Sequence, residues 1–356
     1  MHFYSVTIIE VRKETADCVS VSLAIPPSLH ETFRYRAGQY LTLKAHIDGA
    51  EVRRTYSLCS SPLDREWRVA IKRVEGGLFS TFANKQLRAG DTLDVMPPMG
   101  SFSPDISETN KKNYVAIAAG SGITPVISII STVLRAEKES SCTLVYGNRT
   151  HQSILFREEL EALKNVYMDR FRVIHILSRE ITDATINSGH IDAQKCEALF
   201  TRFLSVKADE FFICGPEGML SCVKDFLTDK GVDRNKIHFE LFTVPGHKTS
   251  HIERKATPQG EGPRSKITII QDGRAFDFEL AFDDQNILDA ALHYGADLPY
   301  SCKGGVCSTC RARLREGEVE MESNYALEPD EVKQGIILTC QAHPKTERVV
   351  VDFDAK

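Results

Sequence analysis

The sequence predicts a multidomain α/β plus β protein in three parts: an antiparallel β-barrel, a Rossmann-like parallel sheet and a β-grasp domain. Three observations carry that reading. Before residue 109, short alternating runs such as 40–45 and 68–74 are separated by Gly, Pro and Asp turns, the pattern of a barrel. From 109 to 243, apolar strands alternate with helical patterns, which implies parallel pairing. From 265 to 356, two strand runs, a helix and a cysteine-rich loop follow in close order. A chain of 356 residues exceeds the usual size of one core, and 42% hydrophobic residues supply apolar surface for several.

Each element has its own signal. In the middle part, strands are expected at 114–119, 142–146, 171–177 and 211–214, with helices at 125–134, 154–163 and 216–227. In the last part, 266–271 and 275–280 read as strands joined by the hairpin turn Asp272-Gly273. Residues 286–294 read as a helix opened by Asp283 or Asp284 and closed by Gly295. Val349, Val350 and Val351 supply a closing strand. Pro245, Gly246, Pro258, Gly260, Gly262 and Pro263 lie among polar residues without apolar periodicity. The expected division is therefore 1–108, 109–243 and 265–356, with a linker at 244–264.

Composition narrows the function classes. No run of about eighteen apolar residues is present to span a membrane, and Met1, His2, Phe3 and Tyr4 lack the profile of a signal peptide, so a cytoplasmic protein is expected. The formal net charge is −5, and residues 265–356 hold seventeen Asp or Glu against ten Lys or Arg. Such an acidic module repels nucleic acid and suits a basic docking face on a protein partner, although solubility alone also favours acidic surfaces.

Cys302, Cys307, Cys310 and Cys340 read C-x4-C-x2-C and then C after twenty-nine residues, the plant-type spacing for a [2Fe-2S] cluster. Three thiolates within nine residues wrap one side of a compact cage, and a distant fourth closes it. Gly304 and Gly305 allow backbone N–H groups to approach sulfur. A zinc site is the competitor, but zinc sites usually pair two short knuckles and only Cys307 and Cys310 make one. Cys18, Cys59, Cys142, Cys196, Cys214 and Cys222 show no disulfide framework.

Other motifs sit where strands end. Arg54, Thr55, Tyr56 and Ser57 form R-x-Y-S on an expected barrel strand, which can offer an isoalloxazine ring an aromatic face, a hydroxyl and a phosphate-binding cation; an ordinary strand with a surface arginine also fits. Gly76, Gly77, Leu78, Phe79 and Ser80 precede a helix, offering N–H groups and a hydroxyl to a diphosphate, or simply a turn. Gly120, Ser121, Gly122, Ile123, Thr124 and Pro125 join the first strand and helix of the middle part. They depart from G-x-G-x-x-G at Pro125, which suits a first helical position, and keep the close backbone approach that a dinucleotide phosphate needs. Arg149, Ser178 and Arg179 follow the next two strands, where a ribose 2′-phosphate is reachable. No acid occupies 147–150, which favours NADPH over NADH, although Glu180 adjoins the second pair. Cys214, before Gly215 and Pro216, is either beside a nicotinamide or a core residue. Glu240 and Phe242 can lie at a flavin edge or belong to surface and core.

In their order, these motifs resemble the ferredoxin-NADP reductase superfamily fused to a C-terminal plant-type ferredoxin. With residues 146–150, 321–331 (MESNYALEPDE) and 349–356 included, the chain is similar to the reductase subunits of phenylacetyl-coenzyme A epoxidases, multicomponent bacterial di-iron oxygenases. The resemblance implies FAD held by Arg54, Thr55, Tyr56, Ser57 and Gly77 to Ser80, and NADPH held by Gly120, Ser121, Gly122 and Thr124, with its 2′-phosphate on Arg149, Ser178 and Arg179. It further implies Cys214 facing the nicotinamide and an oxygenase component of a multicomponent monooxygenase as partner; with Glu240 added from its place on the last strand, Ser57, Cys214 and Glu240 are the expected catalytic residues. One departure is that the flavin part runs on through Phe242 rather than ending in a free C-terminal tyrosine. The same domain order resembles phthalate-type dioxygenase reductases, which would imply NADH, FMN and a Rieske oxygenase. A redox-sensing or scaffold protein with decayed nucleotide sites is the reading outside enzymes.

Overall fold

A computed structural model of the chain describes residues 2–242 and 263–355, and these form two compact units. The expected linker at 244–264 lies, apart from its last two residues, outside the described residues. Arg264 already belongs to a strand.

The first unit begins with β1 (Tyr4–Thr15), β2 (Cys18–Ala24), β3 (Tyr40–Ile47), β4 (Ala50–Ser57, of which Arg53–Thr55 group with the second unit), β5 (Trp67–Lys72), α1 (Leu78–Lys85) and β6 (Thr92–Val95). The six strands run in the order β4-β3-β6-β1-β2-β5. Leu58, just past β4, bridges to Val69 of β5, so the two edges meet and the sheet closes as a barrel. Val21, Leu41, Leu43, Val69, Ile71 and Val95 are fully buried inside it, each contributing about 1.5–3 kcal/mol by burial.

The same unit continues with β7 (Asn113–Ala119), α2 (Ile123–Ala136), β8 (Ser141–Asn148), α3 (Arg157–Val166), β9 (Phe171–Leu177), α4 (Ala193–Arg202), β10 (Glu210–Gly215), α5 (Glu217–Asp229) and β11 (Ile237–Leu241). The order β11-β10-β7-β8-β9 is parallel throughout. Strand order reverses between β7 and β10, and the crevice at their C-terminal ends is where such sheets bind ligands. Hydrogen bonds from Ser128 Oγ to Ser60 O (2.6 Å) and between the Ser61 and Thr132 hydroxyls (2.8 Å) fasten α2 to the barrel. Arg68 Nη1 lies 2.6 Å from Glu159 Oε1. Burial opposes ionisation of Glu159, but Arg68 and Arg12 outweigh it and hold its carboxyl below the usual range.

The second unit contains β12 (Arg264–Gln271), β13 (Arg274–Ala281), α6 (Ile287–His293), β14 (Arg311–Glu316), β15 (Val319–Met321), α7 (Pro329–Lys333), β16 (Ile336–Leu338), β17 (Ala342–Pro344) and β18 (Arg348–Asp352). Its main sheet runs β13-β12-β18-β14-β16, with β12 and β18 parallel, and packs on α6 in a β-grasp arrangement.

Three local expectations shift. The helix expected from Ile154 starts at Arg157, because Ile154, Leu155 and Phe156 are core residues of the approach and Phe156 takes a left-handed φ of 55°. Pro125 is the third residue of α2, since a 3-10 turn over Gly120–Gly122 precedes the helix at Ile123. α6 is capped by Asn286, whose side chain accepts from Asp289 N, rather than by Asp283 or Asp284. No described helix is long and apolar enough to cross a membrane.

Candidate functional site

On the barrel side, β4 delivers Arg54, Thr55, Tyr56 and Ser57 in alternation. Arg54 is exposed, Tyr56 is half-buried with its ring 5.6 Å from that of Phe79, and Ser57 is buried. Gly76 (φ 72°) and Gly77 turn the chain into α1. There the Ser80 hydroxyl differs from expectation. It accepts from Val74 N (3.1 Å) and donates to Gly77 O (3.3 Å), closing the turn, and the Phe79 side chain is core. What remains for an anion at this turn is the first-turn N–H groups near exposed Leu78.

Ser57, Cys214 and Glu240 come together although 183 residues separate the ends of the set. Ser57 Oγ donates to Glu240 Oε2 at 3.4 Å, and the parallel register places Glu240 beside Cys214 and Cys214 beside Ala118. Glu240 keeps some surface, yet its carboxyl is enclosed by enough protein that desolvation pushes it up to about 8, against the opposing hydrogen bond from Ser57. Burial, and then Glu240, pushes the Cys214 thiol well above its ordinary value, so this cysteine is a neutral, soft packing surface and no nucleophile.

The turn at Gly120–Gly122 packs on the same strand end. A Cβ on Gly122 would stand 2.3 Å from Cys214 O, so only glycine permits this approach. Gly120 has φ 53° and open space at its Cβ position, a free cradle at the N-terminus of a fourteen-residue helix. Thr124 Oγ1 donates to Ser121 O (3.0 Å), and Tyr146 OH donates to Gly120 O (2.9 Å), which hold the turn.

Arg149 and Arg179, both exposed, are joined by a hydrogen bond from Arg179 N to Arg149 O (2.8 Å), with Ser178 N on Asn148 O (2.9 Å). Glu180 is diverted, since its Oε1 accepts from His151 N at 3.0 Å. The strand ends thus present two cations and a serine. Sequence reasoning missed Asn148, whose buried amide lies near the Tyr146 hydroxyl. That hydroxyl donates its hydrogen to Gly120 O, so only its oxygen is left to accept from Asn148 Nδ2, and Oδ1 has no partner. A buried amide at the C-terminal end of β8 with its carbonyl oxygen unpartnered fits a nucleotide group; its signal was a polar residue ending an apolar strand.

Cys302, Cys307 and Cys310 lie on the loop between α6 and β14, and Cys340 follows β16. Lys303, Gly305 and Ser308 take left-handed φ values of 53°, 74° and 48°. A Cβ on Gly305 would meet Ser323 O at 2.7 Å. Gly304 N donates to Cys302 Sγ at 3.3 Å. Hydrogen bonds from Cys307 and Cys340, then from the N–H groups of Gly304 and Val306, hold the Cys302 thiol well below its ordinary value. Cys310 is held down chiefly by Cys340. Cys302 touches both Cys307 and Cys340, and Cys340 touches both Cys302 and Cys310, so the four thiols form one connected group that would suit a two-iron cage. The buried Ser301 hydroxyl lacks a partner within the chain, which a sulfur acceptor would supply. None of the ten cysteines is in a disulfide.

The comparisons with known proteins agree with these three arrangements. Residues 5–103 match an oxidoreductase FAD-binding domain, 116–225 an oxidoreductase NAD-binding domain, and 269–345 a 2Fe-2S iron-sulfur cluster binding domain. One of the subunits of the 1,2-phenylacetyl-CoA epoxidase of Escherichia coli K12 is 47% identical over 99% of this chain and 98% of its own length. The ferredoxin reductase component of the 3-ketosteroid-9-alpha-monooxygenase of Rhodococcus rhodochrous is 34% identical over 98% and 96%. Phthalate dioxygenase reductase shares the fold at a TM-score of 0.59 and 24% identity, covering 99% of this chain and 98% of that one. A self-sufficient cytochrome P450 monooxygenase shares it at 0.69 and 22% over 98% of this chain and 41% of the other. FAD, a nicotinamide dinucleotide and a [2Fe-2S] cluster are the cofactors that these domains carry. The chain belongs to the family of FAD-, NAD- and 2Fe-2S-binding oxidoreductases that serve oxygenases as their electron-transfer reductase components.

Proposed function

We propose that the chain is the reductase subunit of a phenylacetyl-coenzyme A epoxidase, working in the cytoplasm and taking electrons from NADPH. The observation that carries the partner is the 47% identity to an epoxidase component along the whole chain. When bound, the flavin and the cluster convert a two-electron donor into single-electron deliveries, which an iron oxygenase needs.

The residues do the positioning. Arg54, Thr55, Tyr56, Ser57 and the turn Gly77, Leu78, Phe79 and Ser80 hold FAD, with Arg54 and the α1 N–H groups on its phosphates. Gly120, Ser121, Gly122 and Thr124 shape the dinucleotide diphosphate site. Arg149, Ser178 and Arg179 take the 2′-phosphate, and the engagement of Glu180 with His151 supports NADPH over NADH. Ser57 donates to Glu240, Glu240 holds a proton at neutral pH, and the Cys214 thiol packs as an uncharged wall of the nicotinamide pocket. Cys302, Cys307, Cys310 and Cys340 hold the cluster.

Mixing the purified chain with the oxygenase component, NADPH and phenylacetyl-coenzyme A tests this directly. Oxygenated thioester in proportion to NADPH consumed is the expected result. NADPH consumption with cytochrome c reduction but no thioester product would remove the partner and leave the reductase. The ketosteroid relative favours a second acceptor class, which the same assay with a steroid oxygenase would reveal.

A further inference from the structure

We infer that Gln341 is a positioning residue of the iron-sulfur centre: its side-chain amide clamps the cysteine loop to the fourth ligand and donates to the Cys340 sulfur. The inference rests on the reading of Cys302, Cys307, Cys310 and Cys340 as the cluster ligands.

Gln341 is 5% exposed. Its Nε2 donates to Lys303 O at 3.0 Å and to Cys340 O at 2.8 Å, and it lies 3.7 Å from Cys340 Sγ. Two amide hydrogens are thus shared among three acceptors, one in the C-x4-C segment, one on the fourth cysteine and one on its sulfur. Its main chain is equally committed: Gln341 N donates to Leu338 O (2.9 Å), and Gln341 O accepts from Glu322 N (2.9 Å). Gly305 makes room for it, because a Cβ there would stand 3.2 Å from Gln341 Cγ. One side chain therefore ties the loop carrying three ligands to the turn carrying the fourth.

Donors to a ligand sulfur favour the more negative state of a cluster, and reduction adds one electron to it. Removing the amide should therefore disfavour the reduced form. Gln341→Met keeps the length and volume and removes both hydrogens. Gln341→Glu keeps the shape, removes them and adds a negative charge.

The test is an EPR-monitored redox titration of the full chain carrying its cofactors. Gln341→Met is expected to shift the reduced-to-oxidised ratio about tenfold toward oxidised, which is 59 mV for one electron, and Gln341→Glu further. Cluster iron should pass to a chelator about tenfold faster in both. A Met variant with an intact cluster at the wild-type potential overturns the inference, whatever its cluster lifetime. If the variants do not retain the cluster, the wild-type chain with glutamine labelled by 15N at the side-chain amide decides: nitrogen hyperfine coupling in the reduced cluster supports the contact, and its absence overturns it. Absence of any [2Fe-2S] signal in the wild type would instead remove the assignment of the four cysteines.

Discussion

The cluster loop and the Ser57–Cys214–Glu240 junction achieve precision by opposite routes. Three of the proposed cluster ligands fall within nine residues, and the loop orients them with its own backbone, through left-handed φ at Lys303, Gly305 and Ser308 and N–H groups turned toward sulfur. The junction has almost no local sequence. A barrel strand end, two strand ends of the parallel sheet and a glycine turn meet there, and what they share is enclosure. One region tunes charge with nearby donors, and the other by removing water. Electron transfer needs both, because a cluster must carry a net charge near a partner while a hydride pocket works best dry.

The strongest way to break that division is Cys302→Ser. Loss of a cluster thiolate is expected to lower acceptor reduction by more than about 100-fold while NADPH–ferricyanide turnover, which uses the junction alone, stays near wild type. Equal loss of both would show that the regions are not separable.

Glu240→Gln sharpens the junction side. NADPH–ferricyanide turnover should fall by about 10²-fold if the carboxyl handles a proton. Stability gives an independent readout. Glu240 titrates near 8 in the fold and near 4.5 when unfolded, so between those values the native state binds more protons and stability falls as pH rises. The slope is at most about 1.4 kcal/mol per pH unit for a fully enclosed group. Thermal melts from pH 5 to 8.5 should fall less steeply in Glu240→Gln, and parallel curves would contradict the enclosure of this acid.

Gly122→Ala places a methyl where Cys214 O stands 2.3 Å away. A stability cost of about 1–3 kcal/mol and a rise of roughly tenfold in KM for NADPH are expected, with the cluster spectrum unchanged. Arg149→Ala should raise KM for NADPH by roughly tenfold and leave KM for NADH near wild type, since only the former has the 2′-phosphate. A parallel rise for both coenzymes would move Arg149 off that group. The smallest effect is on the acidic C-terminal part: reduction of the oxygenase should slow a few-fold between about 0.05 and 0.5 M salt, as screening weakens long-range attraction.

Much of this was legible in the residues themselves. The hairpin turn at Asp272-Gly273 stands as expected, both residues having positive φ, and β9 spans the expected residues 171–177. The proposed cluster ligands were legible because their chemistry lies in local spacing, and the proposed nucleotide turn because glycines at a strand-to-helix junction have few other uses. That the Ser80 hydroxyl bonds Val74 N and Gly77 O within its own turn was not legible, since nothing in Gly-Gly-Leu-Phe-Ser says where the hydroxyl points. Asn148 and Gln341 were passed over, since an amide becomes informative only when it is buried.

The sequence by itself determined the three-part architecture, the cysteine set and the glycine turns, because these follow from periodicity and spacing along a chain. Only the tertiary structure decided that Ser57, Glu240 and Cys214 share one enclosed place, that Glu180 turns to His151 and leaves Arg149 and Arg179 as the cations, and that Gln341 spans the cluster loop. Those outcomes depend on contacts between residues tens to hundreds of positions apart and on which polar groups lose water, and both are properties of the packed chain alone.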